Sequence, residues 1–68
     1  MNYIVIEAQT SDIGETIVAP VYTTNSINDA YSRFHSICAS AAVSTVKKHA
    51  VWVTDETGAW VTGQVFEH

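Results

Sequence analysis

Cysteine is nearly absent from this chain of 68 residues, since Cys38 is its single cysteine. One thiol cannot form a disulfide within the chain, and a free thiol is typical of a protein in a reducing cytosol. Three histidines and this cysteine lie without the spacing of a structural zinc site, so we expect neither a metal nor a cofactor. A domain this short usually needs a disulfide, a metal or a partner subunit to fold. The disulfide is excluded and the metal has little support, so we expect a homo-oligomer.

Basic residues are also scarce, because three Lys and Arg side chains stand against seven Asp and Glu side chains, with a formal net charge of -4. A protein that binds duplex nucleic acid needs a basic stripe to neutralise phosphates, so we expect no duplex partner. No apolar run approaches the roughly 18 to 20 residues that cross a bilayer. The first residues, MNYIVIEAQ, lack the basic start of a signal peptide. We therefore expect no membrane partner and a cytoplasmic location.

Glycine-rich loops and paired carboxylates are missing too. The three glycines are isolated and form no phosphate-binding loop, and no two carboxylates are placed for acid–base chemistry. One candidate nucleophile remains, since Cys38 lies three positions after His35. Because Cys38 falls near the centre of an apolar helix stripe, we interpret it as a core residue and not as a reactive thiolate. We expect a protein that is not an enzyme.

Hydrophobic patterning predicts one α+β domain over residues 1–68, in the order ββαββ, with a mainly antiparallel four-stranded sheet and one helix packed on one face. β-branched and aromatic residues predict strands at 2–9, 17–23, 49–54 and 59–66. Pro20 cannot donate to a ladder, so it favours a sheet edge or a bulge. The segment DETG, residues 55–58, predicts a tight turn between the last two strands.

A capping signature, Ser26 followed three residues later by Asp29, predicts a helix that begins near Ile27. Its apolar stripe predicts a helix that runs to about Val46, with Lys47 and Lys48 at the carboxyl end, where the helix dipole favours cations. The outward arc carries no formal charge apart from Arg33 at its margin. We predict that this arc is an interface between subunits, and the alternative is a neutral, solvated surface. Its small residues are Ser32, Ser36, Ala39, Ser40 and Val43.

Both faces of the predicted sheet are apolar. Ile6 alternates with Val5 in the first strand, and the third and fourth strands show the same two-sided pattern. Strict alternation places Trp60 and Phe66 on one face of the fourth strand. Because a single helix covers a single face, the other face leaves aromatic or β-branched side chains in water, which indicates an interface or a ligand groove.

Polar and aromatic residues around the neutral helix segment form the candidate ligand site. Lys47 and Lys48 beside His49 are the only basic cluster, and they suit either an anion site or the electrostatics of a helix end. The histidines are alternatively boundary residues that bond backbone carbonyls. The tryptophans are alternatively a cross-strand pair in the core or an interface. The candidate ligand-binding residues are His35, Lys47, Lys48, His49, Arg33, Trp52 and Trp60.

The segments YIVIEAQT, FHSICASAAVSTVKKHAVWVTDETG and VFEH resemble a group of small uncharacterised proteins encoded by gut Firmicutes and by their phages and prophages. That group shares an aromatic-His pair, an Ala-rich helix ending in Val-Ser, and a His before a strand, which correspond here to Phe34 and His35, to residues 39–44 and to His49. The resemblance implies a bacterial host cell as the setting. Small phage proteins without catalytic motifs often act by binding, and one class resembles homo-oligomers that sequester cyclic nucleotide signals between subunits.

These observations lead to a functional expectation. We expect a non-enzymatic homo-oligomer that binds a small anionic or nucleotide-like ligand at a subunit interface, in the setting of phage counter-defence. The alternative is an inhibitor or regulator that docks an apolar or acidic face on a host or phage protein. The acidic residues of that alternative are Asp12, Glu15, Asp55 and Glu56.

Overall fold

The computed structural model describes residues 1–68 and shows one helix packed on one antiparallel sheet. The elements are β1 (Tyr3–Thr10), β2 (Thr16–Thr24), α1 (Ile27–Ala42), β3 (Lys48–Asp55) and β4 (Trp60–Glu67). The sheet order is β2-β1-β3-β4, so β1 and β3 are central and the other two strands are edges. The predicted α+β fold is confirmed, and each predicted strand boundary lies within one residue of the observed one. The helix lacks the length and apolar character needed to cross a membrane.

The core lies between the helix and the two central strands. Val5, Val51 and Val53 are completely or almost completely buried, and they pack with Ala30, Phe34 and Ala41 of α1. Ala30 and Ala41 are fully buried near the two ends of the helix, where their short side chains allow close packing on the sheet. Only 7 of the 68 residues are buried, which is a small core for an independently folding chain.

The helix begins as the capping signature predicts. Ser26 precedes the first turn, and its Oγ accepts a hydrogen bond of 3.3 Å from the Asp29 backbone N–H. The predicted end at Val46 is wrong, because α1 ends at Ala42. Ser44 Oγ accepts from the Val46 N–H at 3.1 Å, a local side-chain bond that competes with helix continuation. Residues 43 to 46 are all β-branched or Ser, which also disfavours a helix.

The basic pair therefore does not lie at the helix terminus. The last turn of α1 contains no basic residue. Lys48 instead opens β3, and Lys47 lies in the connection before it. The explanation of this pair by the helix dipole is wrong, and the reason is the early helix end.

Pro20 lies on edge strand β2, at an irregularity in the pairing with β1. Val5 pairs with Tyr22 whereas Ile6 pairs with Pro20, so Val21 is an extra residue. The sequence predicted either a sheet edge or a bulge at Pro20, and the structure shows both. A residue without an N–H is accommodated where one ladder bond is already missing.

A second bulge changes the faces of β4. Val53 pairs with Thr62 whereas Thr54 pairs with Trp60, so Val61 is the extra residue. Trp60 therefore lies on the face away from the helix, while Phe66 packs against the core. The prediction that Trp60 and Phe66 share a face is wrong, because strict alternation does not hold across a bulge.

The sheet face away from the helix, called the open face below, has four rows of side chains that run across the strands in the order β2, β1, β3, β4. The rows are Thr23, Ile4, Thr54 and Trp60; Pro20, Ile6, Trp52 and Gly63; Val18, Ala8, Ala50 and Val65; and Thr16, Thr10, Lys48 and Glu67. No helix covers these rows, and Trp60, Val18 and Val65 are 66%, 58% and 54% exposed. The predicted second apolar face is thus present. Its only charged residues lie in the fourth row.

Gly63 is required by the ring of Trp60, which lies over it. A Cβ on Gly63 would lie 2.5 Å from Cζ2 of Trp60 and 2.9 Å from Cβ of Trp52. An aromatic ring that covers a strand glycine shields the backbone where no side chain does so.

We predict that Gly63→Ala lowers the free energy of unfolding by about 1–3 kcal/mol, because the added methyl group displaces the Trp60 ring. Urea unfolding and tryptophan emission measure the two effects. In a Trp60→Ala background the same substitution should cost less, since the clashing ring is gone and only the 2.9 Å contact with Trp52 Cβ remains. An equal cost in both backgrounds would contradict the packing described here.

Candidate functional site

The structure places the predicted ligand-binding residues in four separate regions of one chain. His49 is on the buried helix side of the sheet, and Trp52 is on the open face. Lys48 lies at one end of the sheet, and Arg33 lies on the helix. These side chains do not converge on a single cavity within one chain.

The basic pair lines a depression at the end of the sheet near the β1–β2 loop. The depression has a volume of about 440 Å³ and brings Lys47 and Lys48 together with His68 of the C-terminus. Its other lining residues are Thr10, Ser11, Asp12, Ile13, Gly14 and Glu67. The Ser11 hydroxyl and the two lysine ammonium groups in this depression supply donors for a small anion.

Of the two lysines in this depression, only Lys48 has a carboxylate partner. Lys48 Nζ lies 3.6 Å from Glu67 Oε1, an exposed ion pair that contributes little to stability. Lys47 forms no ion pair, and it also lines an adjoining depression of about 320 Å³ that contains Asp12 and Glu15. Lys47 is therefore the cation that is free to contact a ligand.

His68 connects the C-terminus to the helix end. Its backbone N–H donates to the Lys47 carbonyl at 2.8 Å, and its ring Nε2 lies 3.0 Å from the Ala41 carbonyl. Because a carbonyl only accepts, this ring nitrogen carries the proton. The Ala41 carbonyl also accepts from the Ser44 N–H at 3.2 Å, so the imidazole adds a second donor at the helix end.

His49 forms a buried pair with Glu7. His49 Nε2 lies 2.8 Å from Glu7 Oε2, and the two side chains are 6% and 22% exposed. Since the carboxylate accepts, Nε2 is the donor, and Nδ1 of the same ring is buried without a hydrogen-bond partner. The expected alternative, a bond to a backbone carbonyl, is wrong for His49, because its partner is a side chain on the neighbouring strand.

Sequence reasoning missed Glu7, which had no identifiable partner. A signal was present, because Glu7 lies two positions after Val5 and hence on the same face of β1. The observed register pairs Gln9 with His49 and Glu7 with Val51, which brings the two polar side chains into diagonal contact. That register is set by the assembled sheet, and local sequence spacing does not reveal it.

The helix carries two of the predicted ligand residues on its surface. The Arg33 guanidinium lies over the Tyr22 ring, 4.4 Å from its centroid, a favourable cation–π contact. The exposed His35 ring stacks on Tyr31 at 6.2 Å and meets Phe34 edge-on at 5.3 Å. Both side chains thus have contacts within the chain that account for their positions.

The outward arc of the helix is exposed along its whole length, including Ser32, Ser36, Ala39 and Ser40. Val43 just after the helix is 84% exposed. The arc is neutral and exposed in one chain, and its role as a subunit interface stays a prediction.

Cys38 is half-buried and packs against the core, and burial raises the pKa of its thiol. No hydrogen bond joins it to His35. A raised pKa keeps the sulfur protonated at neutral pH, which is the opposite of what a nucleophilic thiolate requires. The arrangement supports packing and gives no support to thiol chemistry.

The tryptophans lie on the open face, where the Trp60 ring covers Gly63 next to Trp52. The core alternative is wrong for Trp60, which is mostly exposed. An aromatic surface of this kind suits either a planar ligand or another protein surface.

The β3–β4 turn is acidic and well ordered. Hydrogen bonds from the Thr57 hydroxyl and then from the Thr57 and Ala59 backbone N–H groups lower the pKa of Asp55. Glu56 Oε1 accepts from the Asn2 backbone N–H at 3.0 Å. The carboxylate side chains of Asp55 and Glu56 therefore lie at the end of the sheet opposite to Lys48.

The comparisons with known proteins found no matching family model, no matching curated protein and no matching solved structure. No group of three or more His, Cys, Asp or Glu side chains is arranged to hold a metal ion. The geometry thus provides two features for recognition. One is the apolar open face, and the other is the depression beside Lys47.

We predict that Glu7→Ala lowers the free energy of unfolding by about 1–3 kcal/mol, because both ring nitrogens of His49 then lack partners in a buried position. Glu7→Gln should cost less, since its amide oxygen still accepts from Nε2. Urea unfolding at neutral pH measures both.

The matched control is Glu15→Ala, which removes an exposed carboxylate and should change stability by less than about 0.5 kcal/mol. If Glu7→Ala were as stable as Glu15→Ala, the buried pair would not contribute to the fold.

Proposed function

We propose that this protein is a non-enzymatic homo-oligomeric binding module that holds a small anionic or nucleotide-like ligand. The observation that carries the proposal is the open face, whose two central rows are apolar and have no covering layer. Large exposed apolar surfaces of soluble domains usually mark interaction sites.

Self-association would supply the burial that one chain lacks. Six apolar residues form the whole buried core, and two of them are alanines. Burial of further apolar area contributes about 25 cal/mol per Å² before the costs of association. A second layer on the open face therefore offers the largest available gain in stability.

The ligand part of the proposal is supported by the depression beside Lys47. Its donors come from the ammonium group of Lys47, which has no ionic partner, and from the Ser11 hydroxyl in the β1–β2 loop. The carboxylates of Asp12 and Glu67 at the same place favour an anion that also presents hydrogen-bond donors, such as a nucleotide with free hydroxyl groups. Phage counter-defence in the bacterial cytoplasm is the setting that the sequence resemblance implies.

A second candidate function is a protein-interaction inhibitor or regulator. The acidic residues at the two ends of the sheet favour it: Asp12 and Glu15 are in one loop, and Asp55 and Glu56 are in the opposite turn. An apolar face between acidic ends suits a partner with an apolar patch between basic groups. A stoichiometric protein partner in a pull-down, without any small ligand, would favour this function.

We predict that the purified protein is a dimer or a larger oligomer at micromolar concentration. Light scattering coupled to size exclusion measures its mass against the 7.4 kDa of one chain. The measured mass should rise with protein concentration, as mass action requires of a reversible association. A monomer at every concentration would overturn the homo-oligomer.

We predict that calorimetry against cyclic di- and trinucleotides and ADP-ribose derivatives detects binding of at least one anion. Lys47→Ala should weaken that binding about tenfold or more, since a charge-assisted hydrogen bond is lost. The matched control is Arg33→Ala, which removes the same charge from the helix over Tyr22 and should leave binding unchanged. No heat with any compound would overturn the nucleotide ligand.

A further inference from the structure

The open face has large side chains at one position along the strands and small ones at the next. Its second row contains Ile6 and Trp52 on the two central strands, and the Trp60 ring fills the place above Gly63. Its third row has Ala8 directly opposite Ala50. A ridge thus lies beside a shallow trough, each spanning the central strands.

We propose that two copies pack their open faces together about a two-fold axis that runs across the strands between the second and third rows. This inference rests on the proposed homo-oligomer and names its interface. The axis places each row over a different row of the partner: the second over the third, and the first over the fourth. Ile6 then lies over the partner's Ala8, and Trp52 lies over the partner's Ala50.

This arrangement is self-complementary in shape, as an isologous interface requires. Each ridge enters the trough of the other copy, so side chains of the two inner faces interdigitate as in packed β-sandwiches. The other in-plane axis, along the strands, places ridge on ridge and trough on trough. It would leave a gap over the alanines, which has no packing partner.

Charge favours the same axis. Lys48 lies at one end of the open face, 3.6 Å from Glu67 in the same row, and the acidic Asp55–Glu56 turn lies at the other end of the same strand. With the axis across the strands, Lys48 of each copy lies near Thr54 and the acidic turn of the other copy. This contact occurs twice in the dimer. The axis along the strands would bring the two acidic turns together, which is unfavourable.

The area of the open face is large enough for a dimer of moderate affinity. Four strands about 4.8 Å apart, with eight residues at about 3.3 Å each, give a footprint of about 500 Å² per copy. The two copies together bury about 1,000 Å², near the lower limit for a specific interface. The central rows contain no charged group, so no buried unpaired charge opposes the packing.

The test introduces either charge at Thr54, which this axis places over Lys48 of the partner subunit. Sedimentation equilibrium of Thr54→Glu should show a dimer about fivefold tighter, and Thr54→Lys one about fivefold weaker, since two ion contacts change together. Net charge alone predicts the reverse order, because a further negative charge on an acidic protein increases repulsion. The difference between the two variants should vanish in a Lys48→Ala background.

The matched controls are Ser36→Glu and Ser36→Lys on the outward arc of the helix, which report the effect of net charge away from the open face. If only the Ser36 variants change the association, the interface is the helix arc and the proposed face is wrong. If Thr54→Glu and Thr54→Lys weaken the dimer equally, the axis across the strands is wrong.

A second pair of variants covers the case in which a charged Thr54 impairs folding, which thermal unfolding would reveal. Glu56→Lys in the exposed turn should weaken the dimer more than Glu56→Gln does, because it places a cation near Lys48 of the partner subunit. Equal effects would overturn the arrangement. A wild-type protein that is monomeric throughout would instead overturn the proposed function itself.

Discussion

One helix can cover only one face of a sheet, and the rest of this structure depends on that constraint. The helix packs on Val5, Val51 and Val53. Because side chains alternate along a strand, Ile6 and Trp52 lie on the opposite face of the sheet. A sheet with a polar outer face would be complete at this point. Here the outer face is apolar, so the unpaired surface follows directly from the strand sequences.

The element order could be predicted because each element has a strong local signal. Period-two alternation marks the strands, and Ser26 with Asp29 marks the helix start, where the cap is formed within one turn. The helix end and the bulge at Val61 were not predictable in the same way. They depend on a weak competition between Ser44 and the helix ladder, and on how two strands meet across a sheet.

Little of the candidate site was predictable, because its contacts join residues far apart in the chain. The pair of Glu7 and His49 spans 42 positions and exists only in the observed register of β1 and β3. The depression beside Lys47 is likewise formed by three segments that meet at one end of the sheet. The sequence pattern predicted that the basic residues form a cluster, but it placed them at the end of the helix. The helix ends at Ala42, before it reaches them.

The helix arc and the open face differ in the free-energy cost of their exposure to water. The helix arc consists of Ser and Ala, whose exposed area is small and partly polar, so solvation of that arc is inexpensive. The open face exposes Trp60, Val18 and Val65, whose apolar area carries a cost of about 25 cal/mol per Å². The lack of charged residues on the helix arc is therefore a weaker reason for association than the apolar open face that no other layer covers. If only one of the two surfaces meets a second copy, the physical preference is for the sheet.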